Sequence, residues 1–222
     1  MSAPSPTYVI VPIKDPASGK SRLSPVLDAA QRHALCLYLA KRTLTACVEA
    51  FGAPRTIVVT ASAEILQLVA RTGIRVVAEK PVDDGLNSAI AAGIAFAQSE
   101  KAGSVLVVPA DLALVSVAEL RAAAEAIPAA PGCLIVPDRR HTGTNALGFS
   151  PPRTDVLSFG DMSLQRHARQ AALAGCEVRV LASPALGLDL DFPEDYAAWR
   201  REAPGIAAEA VGYPEQAGSI SA

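Results

Sequence analysis

Aromatic side chains are scarce in this chain, at 5% of its 222 residues, although half of the residues are apolar. A core made mainly of Ala, Val and Leu suits buried parallel strands covered by helices. Cysteine is equally sparse. Cys36, Cys47, Cys133 and Cys176 show no Cys-x-x-Cys or other metal-ligand spacing, and read as small buried hydrophobes in a reducing compartment. An excess of positive charge is missing too: 20 Lys and Arg stand against 22 Asp and Glu, for a net charge of −2. No bulk basic field exists to gather nucleic acid. No uncharged apolar run approaches the ~18–20 residues that cross a bilayer, and Met1–Thr7 lacks the cationic and apolar regions of a signal peptide, so a cytoplasmic protein with no membrane partner is expected. There is no internal repeat and no Gly/Ser-rich linker. The expectation is a single domain over 1–203, followed by a loosely attached tail over 204–222 that mixes Pro, Gly, Ser and Ala without periodicity.

What is present is an alternation of β-rich runs and helical patterns. Strands are expected at Tyr8–Ile13, Arg55–Thr60, Ile74–Ala78, Ser104–Pro109, Cys133–Pro137, Thr144–Ser150 and Glu177–Ala182. The clearest helix lies between the first two, where Leu37, Ala40, Leu44, Cys47 and Phe51 recur at spacings of three and four. Further helices are expected at Ala63–Thr72, Leu86–Ser99, Val117–Ile127, Ser163–Ala174 and Pro193–Arg201. This order predicts an α/β fold with right-handed crossovers, a mainly parallel sheet and helices on both faces.

The most informative stretch follows the first strand. Lys14, Lys20 and Arg22, with the hydroxyls of Ser18 and Ser21, fall on a loop at the carboxyl edge of the sheet. Loops in that position hold phosphorylated ligands through backbone N–H groups and cations. Gly19-Lys20-Ser21 fits the second half of a Walker A motif, but the first glycine of that motif would be residue 14, which is Lys14. A P-loop ATPase or kinase is therefore the weaker reading, kept open by an apolar strand that runs toward Asp111.

The other strand-to-helix junctions add a set of their own. Asp83-Asp84-Gly85-Leu86-Asn87 starts a helix, with Asn87 able to read a base edge and Asp83 and Asp84 suited to ordinary capping. Asp111 stands where a carboxylate holds a metal or caps the next helix. Gly143-Thr144-Asn145 opens a strand, and Gly160-Asp-Met-Ser163 precedes a helix bearing His167, which either meets a substrate carboxylate or lies exposed on the helix. Asp189 and Asp191 share one face of an extended segment, and a Mg²⁺ ion fits between them and Asp111.

Taken in order, these motifs resemble the CofC/FbiD family of guanylyltransferases, which make the activated phospho-carboxylate used in building the deazaflavin hydride carrier F(420). The resemblance runs from about Tyr8 to Trp199. It rests on Lys14 with Lys20-Ser-Arg-Leu23, Gly85-Leu-Asn87, Pro109-Ala-Asp-Leu112, Gly143-Thr-Asn-Ala-Leu147, Gly160-x-x-Ser163 with His167, and Asp189-Leu-Asp-x-Pro-Glu-Asp195. It implies a Rossmann-like nucleotidyltransferase fold of the GT-A-like kind. It also implies that GTP phosphates sit on Lys14, Lys20, Ser21 and Arg22, that guanine faces Gly85, Leu86 and Asn87, and that Asp111 belongs to a Mg²⁺ site. Thr144, Gly160 and Ser163 would hold a small phosphorylated carboxylic acid. Two positions depart from the usual pattern: Leu-Ala-Leu follows Asp111 where Leu-Pro-Leu is common, and Leu164 stands where Phe often follows the serine. The resemblance leans to 3-phosphoglycerate as acceptor, ahead of phosphoenolpyruvate and 2-phospholactate. Relatives using molybdopterin or sugar-phosphate acceptors, and a non-catalytic nucleotide-binding module, are the alternatives, and a homodimer is the default assembly.

Overall fold

A computed structural model describes residues 6–78 and 85–211. Among the described residues seven strands form one sheet: β1 (Thr7–Pro12), β2 (Thr56–Thr60), β3 (Arg75–Ala78), β4 (Ser104–Val107), β5 (Gly132–Pro137), β6 (Thr144–Ser150) and β7 (Glu177–Val180). Their order across the sheet is β3-β2-β1-β4-β6-β5-β7. β1 pairs in parallel with both β2 and β4, and β5 with β7. β6 alone is antiparallel to both of its neighbours. The expectation of parallel crossovers gives way there because the short connection 138–143 carries no helix, and a parallel return needs a dozen or more residues.

The described residues also form seven helices, of which the last two pack on each other and on the first rather than on the sheet: α1 (Ala29–Phe51), α2 (Ala63–Val69), α3 (Leu86–Ser99), α4 (Val117–Ala126), α5 (Ser163–Leu173), α6 (Pro193–Glu202) and α7 (Pro204–Val211). A capping box sets the start of α1, with the Asp28 side chain accepting from the Gln31 N–H and the Gln31 side chain accepting in return. Strand alternation divides the core in two. Val9, Val11 and Val58 pack with Leu44, Cys47, Ile65 and Leu120 on one face, while Ile10, Ile57 and Val59 pack with Ile90, Ile94 and Ala171 on the other. On the second face Gly93 lets α3 press against β1. A Cβ there would lie 2.6 Å from Ile10 Cγ2.

The chain from Pro204 was expected to be loose, yet Pro204–Val211 is helical. Ala207 and Ala210 are buried with Tyr38, Leu39 and Trp199 in a third cluster, and Tyr38 donates to Glu209 at 3.0 Å. Small residues hide the helix from a periodicity reading, because tertiary packing rather than an apolar stripe stabilises it. The expected remainder of the tail, 212–222, lies outside the described residues, as do Asp83 and Asp84.

Candidate active site

The carboxyl ends of β1, β4 and β5 and the loops beyond them enclose two adjoining cavities. The larger, about 760 Å³, is lined by Arg22, Arg140, Thr144, Gly160, Ser163 and Asp189, among others. The smaller, about 410 Å³, takes in Lys14, Ser18, Gly19 and Lys20. Pro12, Leu86, Pro109, Asp111 and Asp191 belong to both, so the two spaces meet at a pair of carboxylates. This is the sheet edge at which α/β folds bind ligands.

The loop after β1 is built around Lys20. Two short 3-10 turns flank it, and Lys20 itself adopts φ 55°, ψ 36°, a left-handed conformation uncommon for a side chain larger than Gly. Gly19 allows the approach, since a Cβ there would meet Cys36 Sγ at 2.5 Å. The Lys20 ammonium lies 2.7 Å from Asp111 Oδ2 and 2.9 Å from Asp191 Oδ1. Burial alone would lower its pKa, but the two carboxylates outweigh burial and raise it. Lys20 therefore stays charged at any physiological pH. A P-loop needs its lysine at the start of a helix, whereas α1 begins only at Ala29, so the Walker A reading fails on geometry.

Asp189 and Asp191 reach the site because their segment runs antiparallel to the chain at Leu112. Asp191 holds Lys20, and Arg22 lies at 3.4 Å from its second oxygen. Burial would raise the pKa of Asp191, but Lys20 and Arg22 draw it down. Asp189 instead accepts from Asn145 at 3.2 Å, and its pKa is pushed up to about 6 by burial and by the nearby Asp111. Asp111 is not a helix cap; Ser116 caps α4. The Asp111 Oδ1 is buried with no hydrogen-bond partner among the described residues.

Those features test the expected metal site. Among the described residues no three His, Cys, Asp or Glu side chains form a ready cage, so Asp111, Asp189 and Asp191 do not converge on one ion as expected. Lys20 stands between Asp111 and Asp191 instead. The orphaned Asp111 oxygen and the buried Asp189 carboxylate beside it nevertheless fit Mg²⁺, which takes one or two carboxylates and completes its shell with phosphate oxygens and water.

On the other side of the larger cavity, Gly160 at φ 125° and Met162 at φ 55° turn the chain into α5 and place Ser163, 2% exposed, at its first position. Thr144 opens β6 and is 8% exposed. His167 does not line the cavity. It is fully buried, contacting Thr144 Oγ1 at 3.0 Å and accepting from the Ser158 N–H at 2.9 Å, and burial with the nearby Arg166 lowers its pKa to about 4. Neither a direct substrate contact nor an exposed helical position describes it. Asn87 also departs from expectation: its amide donates to the Phe159 carbonyl at 3.1 Å and accepts from the Phe159 N–H at 2.8 Å, a two-point clamp rather than an edge turned toward a base. Leu86 lines both cavities, Gly85 (φ 85°) makes the turn before it, and Ser21 is exposed and lines neither.

Arg140 is the residue that sequence reasoning missed. It lines the larger cavity, pairs with Asp195 at 2.9 Å and lies over the Phe192 ring at 4.6 Å, while Arg22 contacts the same ring at 5.0 Å. Its neighbour Arg139 pairs with Glu202. Only the Arg-Arg pair just before Gly143-Thr144 hinted at a cation here, and nothing in it separates one arginine from the other.

Comparison with known proteins bears on the family and the fold. Residues 7–199 match the family described as "Guanylyl transferase CofC like". A phosphoenolpyruvate guanylyltransferase of Rubrobacter xylanophilus is 37% identical over 89% of this chain and 94% of its own. A 3-phospho-D-glycerate guanylyltransferase of Colwellia psychrerythraea is 33% identical, covering 85% and 89%. Among solved structures, a putative nucleotide-diphospho-sugar transferase from Desulfovibrio desulfuricans superposes with a TM-score of 0.70 at 15% identity, over 96% of this chain and 95% of the other. A nucleotidyl transferase from Methanothermobacter thermautotroptrophicus gives 0.62 at 18% identity, over 88% and 96%. These structures show the nucleotidyltransferase fold, and the sequence match over most of the chain shows the family: the protein belongs to the CofC-like guanylyl transferases.

Proposed function

We propose that this guanylyltransferase moves GMP from GTP onto the phosphate of a small phosphorylated carboxylic acid, with the nucleotide phosphates over the Lys20 loop and the acid in the larger cavity. The observation that carries this reading is the meeting of the two cavities at Asp111 and Asp191, beside Lys20, whose side chain is 9% exposed. An oxygen of the acceptor phosphate attacks the α-phosphorus of GTP. The bond from that phosphorus to the bridging oxygen breaks, and pyrophosphate leaves. A phosphate monoester has its second pKa near ~6, so the acceptor is already largely a dianion and needs no general base. The absence of a Ser-His-Asp or Cys-His arrangement from this reading is consistent with that chemistry.

The difficulty is electrostatic. Two unit charges ~4 Å apart repel by about 4 kcal/mol at an effective dielectric of ~20, and here several anionic groups must meet. Lys20, held in place by two carboxylates, with Lys14 and Arg22 nearby, supplies fixed positive charge. Mg²⁺, held by Asp111 and Asp189, would supply further charge neutralisation when bound. On the acceptor side, Thr144, Ser163 and the Gly160 turn offer neutral donors, and Arg140 offers a cation at the rim.

Phosphoenolpyruvate and 3-phospho-D-glycerate are the acceptors named for relatives at similar identity. They differ by a double bond against a hydroxyl and a longer spacing, a difference worth about 1–3 kcal/mol in an apolar pocket. The family also places the product in building coenzyme F(420). Pyrophosphate release with Mg²⁺ and GTP, offering phosphoenolpyruvate, 3-phospho-D-glycerate and 2-phospho-L-lactate separately with ATP and CTP as controls, tests the reading. GTP-specific, acid-dependent release is expected. Release of inorganic phosphate from ATP, or tight GTP binding with no turnover, would overturn it.

A further inference from the structure

The buried His167 has two hydrogen-bond partners of unequal freedom. A backbone N–H only donates, so the contact of Ser158 N with Nε2 at 2.9 Å requires a bare lone pair on that nitrogen. A neutral imidazole with Nε2 bare carries its proton on Nδ1. That N–H then points at Thr144 Oγ1, 3.0 Å away, and the hydroxyl oxygen must accept. Phe159 packs edge-on to the ring at 4.7 Å and 72°, and the ring is fully buried, so this orientation is held. The hydroxyl's own proton is left to point elsewhere, and Thr144 lines the larger cavity. Burial and Arg166 keep the imidazole neutral well below physiological pH.

We propose that His167 is a positioning residue that fixes the Thr144 hydroxyl as a hydrogen-bond donor to an anionic oxygen in the larger cavity. A threonine hydroxyl without such a neighbour rotates freely and accepts as readily as it donates. Here the direction is set before any ligand arrives, which is how neutral groups are made selective for anions. The donor direction is set in sequence, from the Ser158 N–H to Nε2 and from Nδ1–H to the Thr144 oxygen, with no proton transferred. The inference rests on the reading of that cavity as the acid site only for the identity of the anion; the tautomer and the donor role do not depend on it.

The experiment has two arms on the full chain. In the first, ¹⁵N NMR of histidine-labelled protein reads the tautomers of its three histidines, with His167→Asn supplying the assignment. A neutral Nδ1–H form from pH 5.5 to 8 is expected. An Nε2–H form, or ordinary titration near 6.5, would overturn the proposal. In the second, Thr144→Val, His167→Asn and His167→Gln are compared by KM for the acid and for GTP, and by calorimetry with inorganic phosphate. Asn keeps a donor near the Nδ1 position, whereas Gln keeps an acceptor near Nε2 and loses the donor to Thr144. Thr144→Val and His167→Gln are each expected to raise the acid KM about tenfold with GTP KM within about twofold, while His167→Asn stays within about threefold and His167→Gln adds nothing on the Thr144→Val background. Equal losses for Asn and Gln, or additive losses with Thr144→Val, would mark His167 as merely structural. A wild type silent with every acid would defeat the acceptor reading alone. Weaker phosphate binding in Thr144→Val would then still support the donor role, and unchanged binding would refute it.

Discussion

The two sides of the site are held in opposite ways. At the Lys20 loop, order comes from charge: a cation in a left-handed backbone conformation is fixed by Asp111 and Asp191 at 2.7 and 2.9 Å. Across the cavity, order comes from neutral hydrogen bonds, with Asn87 clamping the Phe159 backbone and His167 joining Ser158 to Thr144. The contrast follows from what each side must do. On the proposed function the first offsets the charge that a triphosphate brings, and its groups are ionised and close to their counter-ions before the ligand arrives. On the same proposal the second presents donors of fixed direction to a smaller anion, and burial keeps the His167 ring uncharged.

Substitutions on the two sides are expected to differ in size and kind. The largest loss is expected from Asp111→Asn, which keeps shape but removes the charge beside the orphaned oxygen: turnover on the order of a thousandfold lower, with a raised Mg²⁺ requirement, measured by pyrophosphate release across a Mg²⁺ titration. Activity with an unchanged Mg²⁺ dependence would remove Asp111 from metal binding. Lys20→Ala is expected to lower kcat by about a hundredfold to a thousandfold, as for loss of one fixed donor at the reacting phosphate. Turnover within threefold of wild type would remove Lys20 from the mechanism and leave the comparison without its charged side.

On the neutral side the effects are smaller and fall on stability as well as on acid affinity. The folded pKa of His167, about 4, lies below the ordinary 6.5, so between those values the unfolded chain binds more protons than the folded one. The stability involved is present above pH 6.5 and is lost as the pH falls toward 4. Its size is about 3 kcal/mol, and Arg166 is the charged neighbour that adds to the burial effect. Urea unfolding of wild type and His167→Asn at pH 7 and pH 4.5 reads it as a larger loss of stability in the wild type than in the variant, which keeps the contribution of groups such as Asp189; equal losses would mean that His167 titrates normally. Asn87→Ala is expected to cost about 1–3 kcal/mol by leaving the Phe159 N–H and C=O without partners, with a loss of acid affinity larger than the loss of GTP affinity. A loss confined to GTP would restore Asn87 to the base-reading role expected from sequence.

The charged side was the more legible in sequence, and the reason is physical. Lys20 and Arg22 on a loop after an apolar strand, with acidic residues at later strand ends, signal a phosphate site through composition and position alone. The stripe from Leu37 to Phe51 was readable because burial imposes a period on it, whereas Thr144–Ser150, buried along nearly its whole length, was readable only as a short run between turn signals. The direction of β6 was not, since strand polarity depends on the connection rather than on the strand. Nor were the partners of Asn87 and His167, which are set by contacts across 72 and 23 residues and leave no local pattern. The two adjacent arginines make the same point, as Arg140 faces the cavity while Arg139 pairs with α6. The alanines of α7 had no periodic signal to give because their partners, Tyr38 and Trp199, lie on other helices.

The most direct test of the two-sided site is the product itself, followed by ³¹P NMR as the enzyme is mixed with Mg²⁺, GTP and either phosphoenolpyruvate or 3-phospho-D-glycerate. The account predicts that an unsymmetrical diphosphate, joining the acid's phosphorus to the GTP α-phosphorus, grows in step with free pyrophosphate and only when acid is present. Inorganic phosphate in place of pyrophosphate, or pyrophosphate release that does not depend on the acid, would contradict it.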